Sequence, residues 1–228
     1  MRVEVCPTSA AAAARAADFI AAELRAAVKD RGLGTVALSG GRTPELMMRA
    51  LAAARLPWPQ IHIFQVDERI VGDDDERRNM NTIRAAFGQS LIPVDNVHPM
   101  PVNSSPLESG AAQYSTDLGT MAGAQPSLDV VHLGLGEDGH TASLVAGDGA
   151  LASDSDVAIT GLYKGVHRMT LTLQVLDRAR RRIWLVTGSS KRDIVRRFLD
   201  ADPELVASRV RREAAILVLD DDAAGERT

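Results

Sequence analysis

Between residues 35 and 44 the sequence reads Thr35-Val36-Ala37-Leu38-Ser39-Gly40-Gly41-Arg42-Thr43-Pro44, and this stretch contains the basic unit of the fold. Its first four residues form a short apolar run that is typical of a buried strand. Pro44 suits the first position of a helix, where its missing N–H is not needed, and a helical pattern follows over residues 45–55. The stretch therefore predicts a strand, a glycine-rich turn and a helix.

The same order recurs along the chain. We predict further strands over residues 61–66, 128–133, 182–186 and 215–219, and helices over residues 9–29, 79–87, 107–121 and 192–199. Strands that alternate with helices indicate parallel βαβ units. The sequence thus predicts an α/β fold with a doubly wound, mostly parallel sheet and helices on both faces, in a modified Rossmann-like arrangement. With no repeat or linker, we expect one domain over residues 1–228 and a frayed acidic segment at residues 220–222.

The composition excludes several classes of protein. Among 228 residues, 26 are Lys or Arg and 30 are Asp or Glu, so the formal net charge is −4. The hydrophobic fraction of 45% is that of an ordinary globular chain. A nucleic-acid partner normally requires a basic excess, and a membrane span requires about 20 apolar residues. With a single cysteine, Cys6, no internal disulfide can form. We therefore expect a cytoplasmic protein that binds neither nucleic acid nor a membrane.

Two turns resemble anion sites. In the turn from Ser39 to Pro44, small residues and the hydroxyls of Ser39 and Thr43 precede a helix, whose free N–H groups favour a bound anion. The alternative is an ordinary tight turn with a helix-capping hydroxyl. Lys191 opens another helix after a strand, where its positive charge is locally unfavourable unless an anion binds. The alternative there is a solvated lysine.

The most suggestive single residue is His140, at the end of Gly134-Leu135-Gly136-Glu137-Asp138-Gly139-His140. An imidazole titrates near neutral pH (about 6.5 in model peptides), so it can take a proton from water. The glycine spacing also fits a dinucleotide fingerprint, but Gly147 follows too soon for the long helix which that motif needs. His132, His140 and Asp138 do not have a recognised zinc spacing. We expect neither a nucleotide cofactor nor a metal.

Charged residues also follow the strand over residues 61–66, where the sequence is Asp67-Glu68-Arg69. They either form surface ion pairs or orient a sugar or a water molecule. Arg77 or Arg78 can fold back onto an anion. Because ligands of such sheets bind at the carboxyl ends of the strands, we expect all these clusters to form one site.

Together these clusters resemble the 6-phosphogluconolactonase family, within the larger glucosamine-6-phosphate isomerase/6-phosphogluconolactonase group. The resemblance spans nearly the whole chain in the expected order. Its landmarks are Leu38-Ser39-Gly40-Gly41-Arg42-Thr43-Pro44, Asp67-Glu68-Arg69-Ile70-Val71, Asn79, the segment from Leu133 to Leu144, Arg168-Met169-Thr170-Leu171-Thr172 and Thr187-Gly188-Ser189-Ser190-Lys191.

The resemblance implies hydrolysis of 6-phospho-D-glucono-1,5-lactone to 6-phosphogluconate in the oxidative pentose phosphate pathway, without metal or organic cofactor. It makes His140 the general base, with Asp138 or Asp67 orienting the imidazole or the water. The only partner implied is a small phosphorylated sugar lactone; the oligomeric state is left open, a monomer included. The implied substrate and phosphate contacts are Ser39, Gly40, Gly41, Thr43, Arg69, Arg77, Arg168 and Lys191.

Two other functions stay open. The deaminase branch of the group, which acts on glucosamine 6-phosphate, carries a glutamate five residues after the histidine, where this chain has Val145. A non-catalytic sugar-phosphate module would keep the phosphate turn and Lys191 but would not need Asp138 and His140. The chain also departs from the lactonase pattern at Gly72, at Arg78 and over residues 145–146, which affects the expected contacts of Arg77 and Arg78.

Overall fold

The computed structural model describes residues 1–88 and 91–225. Seven strands of that part form a central sheet in which every neighbouring pair is parallel. The strands of the described chain are β1 (Arg2–Cys6), β2 (Gly34–Leu38), β3 (Ile61–Gln65), β4 (Asp67–Arg69), β5 (Val97–His98), β6 (Val130–Leu133), β7 (Val157–Ile159), β8 (Arg168–Leu171), β9 (Arg181–Val186) and β10 (Ala215–Asp220). The order in the central sheet is β1-β10-β9-β6-β2-β3-β5.

Helices cover both faces of this sheet. Side chains of β2 alternate between the faces: Val36 and Leu38 pack in one core and Ala37 in the other. The helices are α1 (Ser9–Arg31), α2 (Arg42–Ala52), α3 (Asn79–Phe87), α4 (Leu107–Ala122), α5 (Leu173–Arg178), α6 (Arg192–Leu199) and α7 (Asp221–Ala224). The first three pack with Val36 and Leu38 and the other four with Ala37. The predicted doubly wound α/β fold is confirmed.

The chain reverses its direction of winding between β2 and β6. From β2 it moves outward through β3 to β5, then returns to the other side of β2 and continues through β6 and β9 to β10. Adjacent strands whose connections leave in opposite directions open a crevice at their carboxyl ends, and ligands of such sheets bind there. The turns after Leu38 and Leu133 both lie at this crevice.

Strands β4, β7 and β8 form a second, antiparallel sheet that the sequence did not predict. Each has only three or four residues, and β4 consists of Asp67-Glu68-Arg69. No apolar alternation develops over so few residues. Their pairing also joins positions about 100 residues apart, such as Asp67 and Thr170, which local patterns cannot reveal.

Two local predictions were wrong, namely the bounds of the helix after the Ser39 turn and the fraying of the acidic segment. Helix α2 begins at Arg42 and ends at Ala52, because the turn before it ends at Gly41 and Pro44 falls inside the first turn. The acidic segment is ordered: Asp220 ends β10, and its carboxylate accepts hydrogen bonds from the backbone of Ala223 (2.9 Å) and of Gly188 (2.9 Å). No helix in the described ranges is long and apolar enough to cross a membrane.

Glu68 holds the segment between β4 and α3 in place. Its side chain has no exposed surface, so it is not part of a surface ion-pair set. The carboxylate accepts hydrogen bonds from the backbone N–H groups of Asn79 (2.7 Å) and Met80 (2.9 Å), and it satisfies the first turn of α3. It also accepts from Gln65 Nε2 (2.8 Å) and from the backbone of Arg69 (2.8 Å). Glu68 thereby fixes Asn79 relative to β4.

We expect Glu68→Gln to lower the free energy of unfolding by about 2–4 kcal/mol, because one carboxylate oxygen becomes an amide NH₂ that faces donors in a buried position. Urea denaturation of the two proteins measures the difference. Glu76→Gln is the matched control, since Glu76 is exposed on the same connection and its replacement should change stability little. Equal stability of the Glu68 variant and the native chain would contradict this account.

Candidate active site

A pocket of about 190 Å³ opens at the carboxyl ends of β2 and β6. It lies at the crevice where the winding reverses, and the small sheet supplies one of its walls. Its lining residues are Ser39, Gly40, Asp67, Arg69, Asn79, Gly134, Leu135, Gly136, His140, Ala142, Arg168 and Lys191. Residues from six separate stretches of the chain therefore meet in one cavity.

The Ser39 turn is tied to the end of β6. The Ser39 hydroxyl donates to the carbonyl oxygen of His132 (2.9 Å), and the Ser39 N–H donates to His132 Nδ1 (3.4 Å). Burial lowers the pKa of His132 to about 3, so this histidine is neutral. His132 is therefore a core residue that positions Ser39.

Gly40 is required by a close approach to Asn79. A Cβ atom at position 40 would lie 2.0 Å from Asn79 Oδ1, so any side chain there would displace the asparagine. Asn79 Nδ2 donates to the backbone oxygen of Asp67 (2.8 Å), and Asn79 Oδ1 accepts a hydrogen bond from Arg69. The amide of Asn79 thus holds Asp67 and Arg69 at the pocket wall.

The turn after β6 brings His140 against Asp138. His140 Nδ1 lies 2.5 Å from Asp138 Oδ1, and because an ionised carboxylate only accepts, Nδ1 carries the shared proton. The other ring nitrogen, Nε2, is then free to accept a proton. The N–H of Gly136 donates to the His140 carbonyl (2.8 Å), and a Cβ at Gly136 would lie 2.0 Å from His140 Nδ1. Only glycine at position 136 leaves room for the imidazole.

Asp138 stays ionised at neutral pH. Burial alone would raise its pKa, but hydrogen bonds from His140 and from the Tyr163 hydroxyl (2.8 Å to Oδ2) outweigh burial and lower the pKa to about 2. A permanent negative charge beside the imidazole stabilises the imidazolium that forms when Nε2 takes a proton.

Three cations, Arg69, Arg168 and Lys191, line the pocket among the described residues. Arg69 and Arg168 are directly opposite each other in the antiparallel pair of β4 and β8, an arrangement in which like charges repel. Arg168 is 7% exposed, and its Nε has no hydrogen-bond partner within the described ranges. Burial lowers the pKa of both Arg168 and Lys191. An anion in the pocket would relieve the repulsion and replace lost solvation.

Asp67 is also in the pocket but does not orient the histidine. Its carboxylate accepts hydrogen bonds from Ser143 Oγ (2.5 Å) and Asn79 Nδ2 (3.2 Å), and its side chain is buried. Of the two carboxylates that the sequence left as candidates for orienting His140, only Asp138 is hydrogen-bonded to the ring.

Other expected contacts are not brought into the pocket lining. Arg77 is exposed and pairs with Asp75, Nη2 to Oδ2 at 2.6 Å, because a tight turn places the two side chains together. Thr43 Oγ1 lies 2.8 Å from Thr187 Oγ1 and joins the two turns that the sequence predicted as anion sites. Gly41 is the residue before α2, and its φ of 124° favours glycine. Neither Thr43 nor Gly41 lines the pocket.

Sequence reasoning missed Ser143, Ala142 and Tyr163, and it quoted Asn79 without assigning it a place in the site. Ser143 and Ala142 directly follow the His140 turn, so their proximity was a usable signal. Tyr163 gave none, because its contact with Asp138 spans 25 residues. No group of three His, Cys, Asp or Glu side chains in residues 1–88 and 91–225 could hold a metal ion.

Comparison with known proteins gives a consistent picture. Residues 7–218 match the family model described as glucosamine-6-phosphate isomerases/6-phosphogluconolactonase. The chain is 38% identical to the 6-phosphogluconolactonase of Synechocystis over 220 residues, which cover 93% of this chain and 92% of that relative. It is 37% identical to the 6-phosphogluconolactonase of Nostoc over 98% of this chain and 96% of the relative.

Solved structures agree with these matches. The 6-phosphogluconolactonase of Trypanosoma cruzi superposes with a TM-score of 0.87 at 28% identity, covering 98% of this chain and 95% of that one. The 6-phosphogluconolactonase of Thermotoga maritima gives 0.85 at 26% identity, covering 96% and 98%. The chain, with its pocket between β2 and β6, belongs to the glucosamine-6-phosphate isomerase/6-phosphogluconolactonase family.

Proposed function

We propose that this protein hydrolyses 6-phospho-D-glucono-1,5-lactone to 6-phosphogluconate, a step of the oxidative pentose phosphate pathway. One observation carries the proposal: the His140–Asp138 pair and the three cations Arg69, Arg168 and Lys191 line or adjoin a single pocket. A phosphorylated ester needs a cationic subsite for its phosphate and a base for the attacking water, and this pocket contains both. The relatives named 6-phosphogluconolactonase support the same activity.

The phosphate binds among the cations and the Ser39 turn. Arg168 and Lys191 line the pocket and supply charge-assisted hydrogen bonds. The free N–H groups at the start of α2 and the positive end of its dipole add to the attraction. Asp67 is directed at the same pocket, and its carboxylate accepts a hydrogen bond from a sugar hydroxyl. Anchored in this way, the substrate presents its C1 carbonyl to His140.

His140 then acts as general base. Nε2 takes a proton from water as the water oxygen attacks C1, and a tetrahedral intermediate forms. Asp138 keeps Nδ1 protonated and stabilises the imidazolium. As the intermediate collapses, the bond from C1 to the ring oxygen breaks, and the imidazolium returns the proton to that oxygen. The product is the open-chain acid, which ionises at neutral pH, and the enzyme regains its neutral histidine without a metal or organic cofactor.

The deaminase activity is not favoured by this site. Val145 stands where the deaminase branch carries its glutamate, it does not line the pocket, and it has no ionisable group. A purely binding module would not need a carboxylate hydrogen-bonded to Nδ1 of a histidine at the pocket. We further propose that the protein acts as a single cytoplasmic domain, since its one cysteine, Cys6, is free and the fold needs no oxidising compartment.

The direct test is a coupled assay with freshly generated lactone. Glucose 6-phosphate dehydrogenase supplies the lactone, 6-phosphogluconate dehydrogenase reports the product, and spontaneous hydrolysis is subtracted. We expect enzyme-dependent acceleration with this substrate and none in the conversion of glucosamine 6-phosphate to fructose 6-phosphate. The opposite pattern would identify a deaminase, and inactivity in both assays with retained 6-phosphogluconate binding would identify a binding module.

We expect His140→Ala to lower kcat by about 10²–10⁴-fold, because the general base is lost. Binding of 6-phosphogluconate, measured by calorimetry, should change little because the cations remain. His62→Ala is the matched control, since His62 lies at the start of β3, at the other end of the sheet. Turnover of the His140 variant close to that of the native enzyme would remove His140 from the mechanism.

We expect Lys191→Met to lower kcat/KM for the phosphorylated lactone by about 10–100-fold, the effect of removing one charge-assisted hydrogen bond. Hydrolysis of unphosphorylated glucono-1,5-lactone should change far less, because that substrate has no phosphate for Lys191 to bind. Lys29→Met, at an exposed position on α1, controls for the loss of one positive charge. Equal losses with both substrates would show that Lys191 does not recognise phosphate.

A further inference from the structure

Tyr163 makes a contact that the proposed mechanism does not use. Its hydroxyl donates to Asp138 Oδ2 at 2.8 Å, while Asp138 Oδ1 is bound to His140 at 2.5 Å. The hydroxyl also lies 3.4 Å from His140 Nδ1, and the two rings meet edge to face with centroids 5.3 Å apart. One carboxylate is thus shared between a phenol and an imidazole.

The backbone around Tyr163 is built to hold this contact. Lys164 and Gly165 have φ values of 50° and 81°, and the backbone hydrogen bonds between Tyr163 and Val166 measure 3.1 and 3.3 Å. Two central residues with positive φ make the tight hairpin turn that best matches strand twist. The Arg168 guanidinium lies 4.8 Å from the centre of the Tyr163 ring, where a cation is attracted to the aromatic face. The ring therefore has a defined position.

The phenol is in the right protonation state to donate. Burial, followed by the nearby Asp138 carboxylate, raises the pKa of Tyr163, so its hydroxyl keeps its proton throughout the physiological range. The charged and titratable groups around this cluster are Glu137, Asp138, His140, Lys164, Arg168 and Lys191. Among them, only Asp138 accepts a hydrogen bond from the phenol.

We infer that Tyr163 is a positioning residue for the general base: by holding Asp138 Oδ2, its hydroxyl fixes the carboxylate against His140 and limits the negative charge that the imidazole experiences. The inference rests on the proposed function. Tyr163 is absent from the pocket lining, so it acts on the reaction through Asp138 and His140 rather than through the substrate.

The test is Tyr163→Phe, which keeps the ring and its contact with Arg168 but removes the hydroxyl. Without its donor, Asp138 stabilises the imidazolium more strongly, so the acid limb of the kcat/KM profile should move to higher pH by about half a unit to one unit. Looser orientation should lower kcat by about 3–10-fold. KM should stay within about twofold, since the substrate does not contact the phenol.

A second measurement does not depend on turnover. The ring protons of His140, assigned by their absence from the spectrum of His140→Ala, are titrated by NMR in the native protein and in Tyr163→Phe. The titration midpoint should move upward as the acid limb does. In an Asp138→Asn background the same Tyr163 substitution should cause no further shift, because the group that relays the effect is gone.

Tyr114→Phe is the matched control. Tyr114, the other tyrosine of the chain, is fully buried and donates to the carbonyl of Gln65 at 3.1 Å, so its variant should lose stability without moving the acid limb. An unchanged NMR midpoint in Tyr163→Phe, or an equal shift in the Asp138→Asn background, would overturn the inference. If the midpoint shifts in Tyr163→Phe but the native protein has no lactonase activity, the proposed function is overturned, while the coupling of Tyr163 to His140 through Asp138 stands.

Discussion

The hydrogen bond from the Ser39 hydroxyl to the carbonyl oxygen of His132 joins the two strand ends between which the pocket opens. In a doubly wound sheet the connections after β2 and β6 leave in opposite directions, and a crevice opens between them. Without this hydrogen bond, backbone groups of the turns at the crevice would be unpaired. With this bond in place, the turn before α2 and the turn that carries His140 have a fixed relation. The close approach of Asn79 to Gly40 and the His140–Asp138 pair are built onto these two turns.

At the pocket the chain also places positively charged side chains that repel one another. Arg69 and Arg168 are cross-strand neighbours, and Arg168 and Lys191 have lost part of their hydration. Such positions are unfavourable on their own and would become favourable beside a dianion, which is why we propose them as the phosphate subsite. Glu68 and Asn79 stabilise this arrangement, because their hydrogen bonds fix β4 to the start of α3. Glu68, which does not line the pocket, therefore sets the geometry of residues that do.

Some elements and residues of this structure could be predicted from the sequence, and others could not. The parallel strands were visible because buried strands are short apolar runs. Ser39, His140 and Lys191 were visible because each lies in the turn that follows such a run. For Glu68 the sequence left open a surface ion pair or a contact with a sugar or water, yet its side chain is wholly buried and binds backbone N–H groups of α3. Arg77 was expected at the phosphate, but its neighbour Asp75 binds it at the surface. Local patterns identify strand ends, but they do not show which of several adjacent charges point inward.

The order of apolar runs and glycine-rich turns was sufficient to predict the α/β architecture, the edge of the sheet at which the pocket opens, and the position of His140 at that edge. These features depend on interactions between residues that are close in the chain. The small antiparallel sheet, the opposition of Arg69 and Arg168, the choice of Asp138 over Asp67 as the partner of His140, and the Tyr163 contact depended on folding. Each of these features depends on how segments that are distant in the sequence lie relative to one another. Such choices follow from packing around both cores, which no linear pattern encodes.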